Sequence, residues 1–183
     1  GLNHARDSYD IMNTYDAPLA TREQLARAHT TSSVNELMDA SPVEGYHRVD
    51  PDTEMNPFTV TAALRAAGAA VQATALVLSG EVPTIGTPDA SRTSTRKTAV
   101  GFCFFNNVAV GIRHAMSEHG LERVALIDFD VHHGNGSEDI FRGDERVLMC
   151  SIFEQGIYPF SGDDASSPNM VNVGLPSRSG SDR

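Results

Sequence analysis

Two hydrophobic rhythms alternate along the chain. Over residues 21–40 the apolar positions Leu25, Ala28, Val34, Leu37 and Met38 fall at helical spacing, and over residues 58–79 Leu64, Ala67, Val71, Ala75 and Leu78 do the same. Thr21 followed by Gln24 is the pattern of a capping box. Alanine throughout residues 58–79 keeps the helix cost low, and Gly80 suits its end. A third helix starts at Asn106 and runs to Glu118, burying Val108, Val110, Ile112 and Met116. The second rhythm is short and β-branched. Residues 121–130, 147–152 and 170–175 read as strands, the first of them buried on both faces of a parallel sheet. A short helix over residues 137–142 separates the first two and places Glu138 and Asp139 in its first turn, where the helix dipole favours them.

The polar stretches have their own pattern. Residues 1–18 are weakly patterned, and His4 stands alone there. Residues 41–57 hold three prolines and the acids Asp50, Asp52 and Glu54, and are expected to form a loop. Residues 82–100, VPTIGTPDASRTSTRKTAV, are turn-rich, basic and short of apolar positions, so they are expected as an exposed loop. Residues 163–169 and 176–183 are polar connections.

A length of 183 residues supports one domain with its own core. The net charge of −10 argues against direct binding to nucleic acid or an anionic membrane and fits a cationic substrate. Both cysteines, Cys103 and Cys150, lie inside apolar runs, which reads as two buried reduced thiols in a cytoplasmic, bacterial-like setting. No signal peptide, membrane-spanning run, lipidation motif or internal repeat is read in the chain.

Chemistry concentrates at the end of the first strand, in VALIDFDVHHGNG from Val124 to Gly136. Apolar residues give way to Asp128, Asp130, His132 and His133, and then Gly134 and Gly136 break the strand. Such an ending belongs at the C-terminal rim of a parallel sheet, where open α/β folds place their sites. Residues two apart in extended chain share a face, so Asp128, Asp130 and His132 are expected on one side. A carboxylate and an imidazole from Asp130 and His132 supply two donors of a mixed N/O zinc site. Asp128, one step deeper, can hold a second cation or brace the first donors. The bland alternative is a helix-capping Asp-x-Asp followed by a solvated His-His pair.

These residues carry a resemblance. DFDVHHGNGSEDIF resembles the metal-binding segment of the histone deacetylase family, which includes bacterial deacetylases and acetylpolyamine amidohydrolases, and is nearest its class II branch. GFCFFNNVAVGIRHA and SIFEQGIYPFSG resemble the flanking segments. The resemblance implies an α/β, three-layer arginase/deacetylase-like fold with a central, mostly parallel sheet, incomplete at both ends, in a single partial domain over residues 1–183. It implies zinc-dependent hydrolysis of N-acetyl amides, with Asp130 and His132 on one zinc ion. It places a first potassium site at Asp128 and Ser151 and a second at Phe141, Asp144 and Val147, largely through main-chain carbonyls. Gly101, Phe102 and Tyr158 would line the acyl tunnel, and Asp52 is the candidate to hold the substrate backbone. The substrate would be an acetylated lysine peptide, or an acetylated polyamine or small amine. A homo-oligomer is compatible with this reading.

The chain also departs from the family's pattern. Where the family has a buried strand and a His-His pair that serves as base and acid, this chain has the atypical residues 82–100, and no histidine occurs between His47 and His114. Arg92 and Thr93, near that register, cannot move a proton near neutral pH. His29 resembles an interior family position and is expected to be structural. The third metal ligand and a catalytic tyrosine are not found, so no catalytic residue is identified. The alternative is a non-catalytic relative that binds acyl-lysine or a protein without turnover. An arginase-like binuclear metallohydrolase fits less well, because His133 and Gly134 stand where it needs another aspartate.

Overall fold

Parallel pairing of three apolar runs sets the architecture. The computed structural model describes residues 13–85, 94–99, 103–163 and 167–180. Its elements are α1 (Arg22–Ala26), α2 (Thr31–Asp39), β1 (His47–Asp50), β2 (Thr53–Met55), α3 (Thr59–Leu78), α4 (Asn107–Glu118), β3 (Val124–Asp128), α5 (Asn135–Phe141), β4 (Val147–Glu154) and β5 (Met170–Leu175). The main sheet has the order β3-β4-β5, parallel throughout. Its register sets Asp128 beside Ser151 and Ser151 beside Asn172. All three polar residues therefore gather on one row near the C-terminal edge.

One face of the sheet is covered. Val147, Met149 and Met170 join Ala67, Val71, Ala109, Val110, Ile140 and Phe141 of the helices in one core. The other face is open among the described residues, with Ile127 55% and Phe129 85% exposed beside Leu148, Ile152, Val171 and Val173. The expectation of a strand buried on both faces is corrected here. Val124 and Leu126 pack inward, while Ala125 and Ile127 point to the uncovered side. Apolar side chains on both faces record what a strand can bury, and composition does not say which chain covers it.

The helical expectations need one correction. Residues 21–40 form two helices rather than one. The Thr21–Gln24 capping box opens α1, and Thr30 opens α2 by accepting from the Ser33 N–H at 3.2 Å. The break turns His29 inward, where it is 4% exposed. α3 runs as expected and closes in a Schellman turn, with Gly80 at φ +76° and bonds from Gly80 N to Val77 O and Glu81 N to Leu76 O, both 3.1 Å. By length and composition α3 could cross a bilayer. It packs on α4 instead, with Gly111 set against Ala70 and Thr74, and its Arg65 donates to Ala17 O at 2.6 Å.

Two loop expectations also change. Residues 47–55 are an antiparallel hairpin rather than a plain loop, closed by Asp50, which accepts from Asp52 N at 2.7 Å and Thr53 Oγ1 at 3.0 Å. Residues 94–99 form an anchored strap, with Ser94 buried, Thr95 and Ala99 half-buried, and Arg96, Lys97 and Thr98 exposed as expected. Ser94 is fully buried and donates to Phe104 O at 3.1 Å, and Arg96 N donates to Asp139 Oδ2 at 2.8 Å. Thr30 N donates to Arg96 O at 3.0 Å, and Ser33 Oγ to Lys97 O at 2.6 Å. Main-chain groups carry most of this docking, so a polar, turn-rich sequence gives no sign of it. The two cysteines are free and only half-buried, where full burial was expected.

Candidate functional site

β3 ends at Asp128, and the chain leaves it through two successive carboxylate turns. Asp128 Oδ1 accepts from Asp130 N at 3.1 Å, and Asp130 Oδ1 accepts from His132 N at 2.8 Å. Short acids bond their own backbone two residues on in this way. The turns, rather than strand alternation, bring Asp130 and His132 together. His132 Nδ1 stands 3.1 Å from Asp130 Oδ1. Two donors of one tetrahedral zinc ion, each about 2.0–2.1 Å from it, stand about 3.3 Å apart. The pair thus fits two corners of such a site. Among the described residues no group of three or more histidines, cysteines or carboxylates converges there.

Behind this pair the loop is anchored by side chains that sequence reasoning did not assign. His133, 2% exposed, has Nε2 2.7 Å from Glu138 Oε2 and Nδ1 2.9 Å from Ser161 Oγ. Glu138 also receives Asn172 Nδ2 at 2.8 Å and an ion pair from Arg142. One buried carboxylate thereby ties the loop, α5 and β5 together, and Ser161 ties in residues 155–162. The spacing from His133 to Glu138 was visible in the sequence, but its meaning depends on Asn172, 34 residues away. Gly162 at φ +96° lies against the His133 and Phe153 rings and leaves no room for a Cβ.

Tyr158 stands beside His132. Its ring lies edge-on to His132 with centroids 6.5 Å apart. Burial raises the phenol pKa, and Asp50, Asp52 and Cys103 raise it further by their charge. Gly101, Phe102, Arg92 and Thr93 lie outside the described residues.

The two candidate potassium sites differ. Asp128 and Ser151 are ladder neighbours, Ser151 is fully buried, and its Oγ accepts from Gly134 N at 3.3 Å. Gly134 must be small here, since a Cβ would strike Asp128 Oδ2 and the Met149 methyl. At the other candidate, the carbonyls of Phe141, Asp144 and Val147 do converge, but the amide nitrogen of Asn169 stands between them at 2.9, 3.1 and 2.9 Å. Those carbonyls are already engaged by the Asn169 amide.

His29 is structural as expected. Its Nδ1 meets Thr95 O at 3.0 Å and its Nε2 accepts from Asn106 N at 3.0 Å, which fixes the neutral tautomer with the proton on Nδ1.

Residues 2–183 match the family described as the histone deacetylase domain. A histone deacetylase-like amidohydrolase of Pseudomonas aeruginosa is 36% identical over 146 residues, covering 78% of this chain and 38% of that protein. A probable deacetylase of Methanothermobacter thermautotrophicus is 33% identical over 162 residues, covering 86% and 48%. The type-2 histone deacetylase 1 of Dictyostelium discoideum is 35% identical over 153 residues, covering 78% and 10%. Among solved structures, the HDA15 HD domain superposes with a TM-score of 0.82 at 27% identity, covering 94% of this chain and 51% of that one. The chain spans between 10% and 51% of the length of these relatives.

Proposed function

The chain belongs to the histone deacetylase family and has its α/β fold, and from that premise we propose that it carries part of the site of a zinc-dependent amidohydrolase acting on N-acetylated amines. The observation that carries this reading is the 3.1 Å approach of Asp130 Oδ1 and His132 Nδ1 beyond a parallel strand, with Tyr158 alongside.

In this reading Asp130 and His132 hold the zinc ion. A zinc ion so held polarises the acyl carbonyl and lowers the pKa of its water. Asp128 sets Asp130 through the Asp130 N–H, and the enclosed His133–Glu138 pair holds the loop still. Tyr158 offers an apolar ring to an extended alkyl stem and keeps water from it. Asp52 meets the substrate backbone at the rim. Asp128 and Ser151 fit a structural potassium ion. Water adds to the acyl carbon, the amide C–N bond breaks, and acetate and a free amine leave. A net charge of −10 favours a substrate with positive charge outside the acetylated amide, such as a basic acetyl-lysine peptide or an acetylated polyamine, and two free cysteines favour a reducing, cytoplasmic setting.

A second reading is a family relative that binds acyl-lysine without turnover. It is favoured by the finding that, among the described residues, fewer than three ligand-type side chains converge. Equilibrium dialysis against zinc with metal analysis, followed by acetate release from an acetyl-lysine reporter peptide, separates the two. One zinc per chain and release blocked by a hydroxamate support the hydrolase. Peptide binding without acetate supports the second reading. Asp130→Asn is expected to lose both zinc and acetate release, and a variant that keeps stoichiometric zinc overturns the ligand assignment.

A further inference from the structure

The turn between α5 and β4 has the shape of a cation cage. The carbonyls of Phe141, at the end of α5, of Asp144, and of Val147, at the start of β4, point at one spot. Rings of carbonyls with no side-chain carboxylate suit a large monovalent cation. That spot holds the Asn169 amide nitrogen, 2.9 Å from Phe141 O, 3.1 Å from Asp144 O and 2.9 Å from Val147 O.

The orientation of this amide is fixed by chemistry. Asn169 Oδ1 accepts from Gly143 N at 3.2 Å and from Ser167 Oγ at 2.5 Å. Rotating the amide would set its oxygen against three carbonyl oxygens and its NH2 against a backbone N–H. The side chain is 6% exposed, and its own carbonyl accepts from Met149 N at 2.9 Å, so it is held from both ends.

Two further features disfavour a cation. Phe141 O and Asp144 O already accept from Asp144 N and Val147 N, both at 2.9 Å, so the amide protons complete a nearly satisfied set. The adjoining Asp144 carboxylate is clamped by two guanidinium groups, with Arg146 at 2.8 Å and Arg113 at 2.6 Å, so it is not free to turn toward a cation. Arg113 also lies over the Phe141 ring, 4.9 Å from its centroid.

We propose that the Asn169 amide nitrogen replaces the second monovalent cation in this chain, so that the turn joining α5 to β4 is locked by a side chain and does not respond to potassium. This holds whether or not the chain hydrolyses anything, and its test uses no activity. Crystals of the full 183-residue chain soaked in a thallium(I) salt give the direct answer. The expected result is no anomalous peak among the Phe141, Asp144 and Val147 carbonyls, whatever the Asp128–Ser151 position shows. A peak there overturns the proposal. In solution, Asn169→Ala opens the cage. It is expected to bind one thallium ion more than the parent chain and to gain thermal stability in potassium relative to choline at equal ionic strength. An equal count in parent and variant, with equal potassium response, overturns it. If Asn169→Ala fails to fold, protection of the Asn169 side-chain amide protons in the labelled parent chain decides the matter. Protons that exchange fast, or shift on adding thallium, count against the lock.

Discussion

His133 Nε2 and Glu138 Oε2 lie 2.7 Å apart, and the two side chains are 2% and 4% exposed. The pair is the joint of the candidate site, because Glu138 also holds Asn172 of β5 and Arg142 just past α5. Removing the carboxylate leaves His133 and Asn172 enclosed with donors that have lost their acceptor. Glu138→Ala is expected to cost about 1–3 kcal/mol for each enclosed donor left without its acceptor. Glu138→Gln keeps shape and one acceptor and should lose less. Urea unfolding of the three proteins checks the order, and an alanine variant within experimental error of the parent sinks the assigned role.

Gly134 is fixed by contact rather than by backbone angle. A Cβ there meets Asp128 Oδ2 and the Met149 methyl, two side-chain ends that must shift to admit it. Gly134→Ala is expected to destabilise by about 1–3 kcal/mol, the usual range for overpacking. It should also weaken zinc binding, because the displaced Asp128 sets Asp130. A stable variant with unchanged zinc affinity would show that the row has slack.

Phe160 is the reverse case. It stands at φ 56° with its ring 76% exposed, so the strain of a left-handed L-residue is offset by little burial. Relief of that strain is worth about 1–2 kcal/mol, less the extra unfolded-state freedom of glycine. Phe160→Gly is therefore expected to raise the melting temperature by a few degrees, about what 1 kcal/mol gives for a domain of this size. A drop would mean that the ring makes contacts worth more than the strain.

Local signals in the sequence carried over well, and those depending on distant partners did not. The Thr21–Gln24 box, the Asn106 cap and the end of α3 at Gly80 are fixed within a few residues, and the structure has them where the pattern put them. The approach of Asp130 and His132 was legible because both lie in one turn. Glu138 was read only as a helix-dipole residue, since its partners Asn172 and His133 meet it through the fold. The docking of residues 94–99 is written in main-chain bonds to Thr30, Ser33 and Asp139, which side-chain polarity cannot reveal. Asn169 was passed over as part of a polar loop, and only the convergence of three carbonyls gives it meaning.

Acid should unfold the protein in two separable stages. Burial lowers the pKa of His29 below 6.5, against a smaller raising effect from Thr95 O, so the unfolded chain binds a proton that the folded chain refuses. Stability from this group is present above pH 6.5 and falls as pH drops from there towards the lowered folded value. Asp144 acts in a lower window. Hydrogen bonds from Arg146, and then from Arg113, hold its carboxyl well below the ordinary 3.8, so its contribution is intact at neutral pH and is lost as pH falls beneath that value. The two groups share no hydrogen-bond partner, so their effects should add. Unfolding free energy measured from pH 8 to below pH 2 should thus decline in two steps. His29→Gln should shrink the upper step to the part set by His114, whose pKa burial also lowers, and leave the lower, and Asp144→Asn should do the opposite. If His29→Gln leaves the upper step intact, another histidine governs it, and the neutral, enclosed tautomer assigned to His29 is wrong.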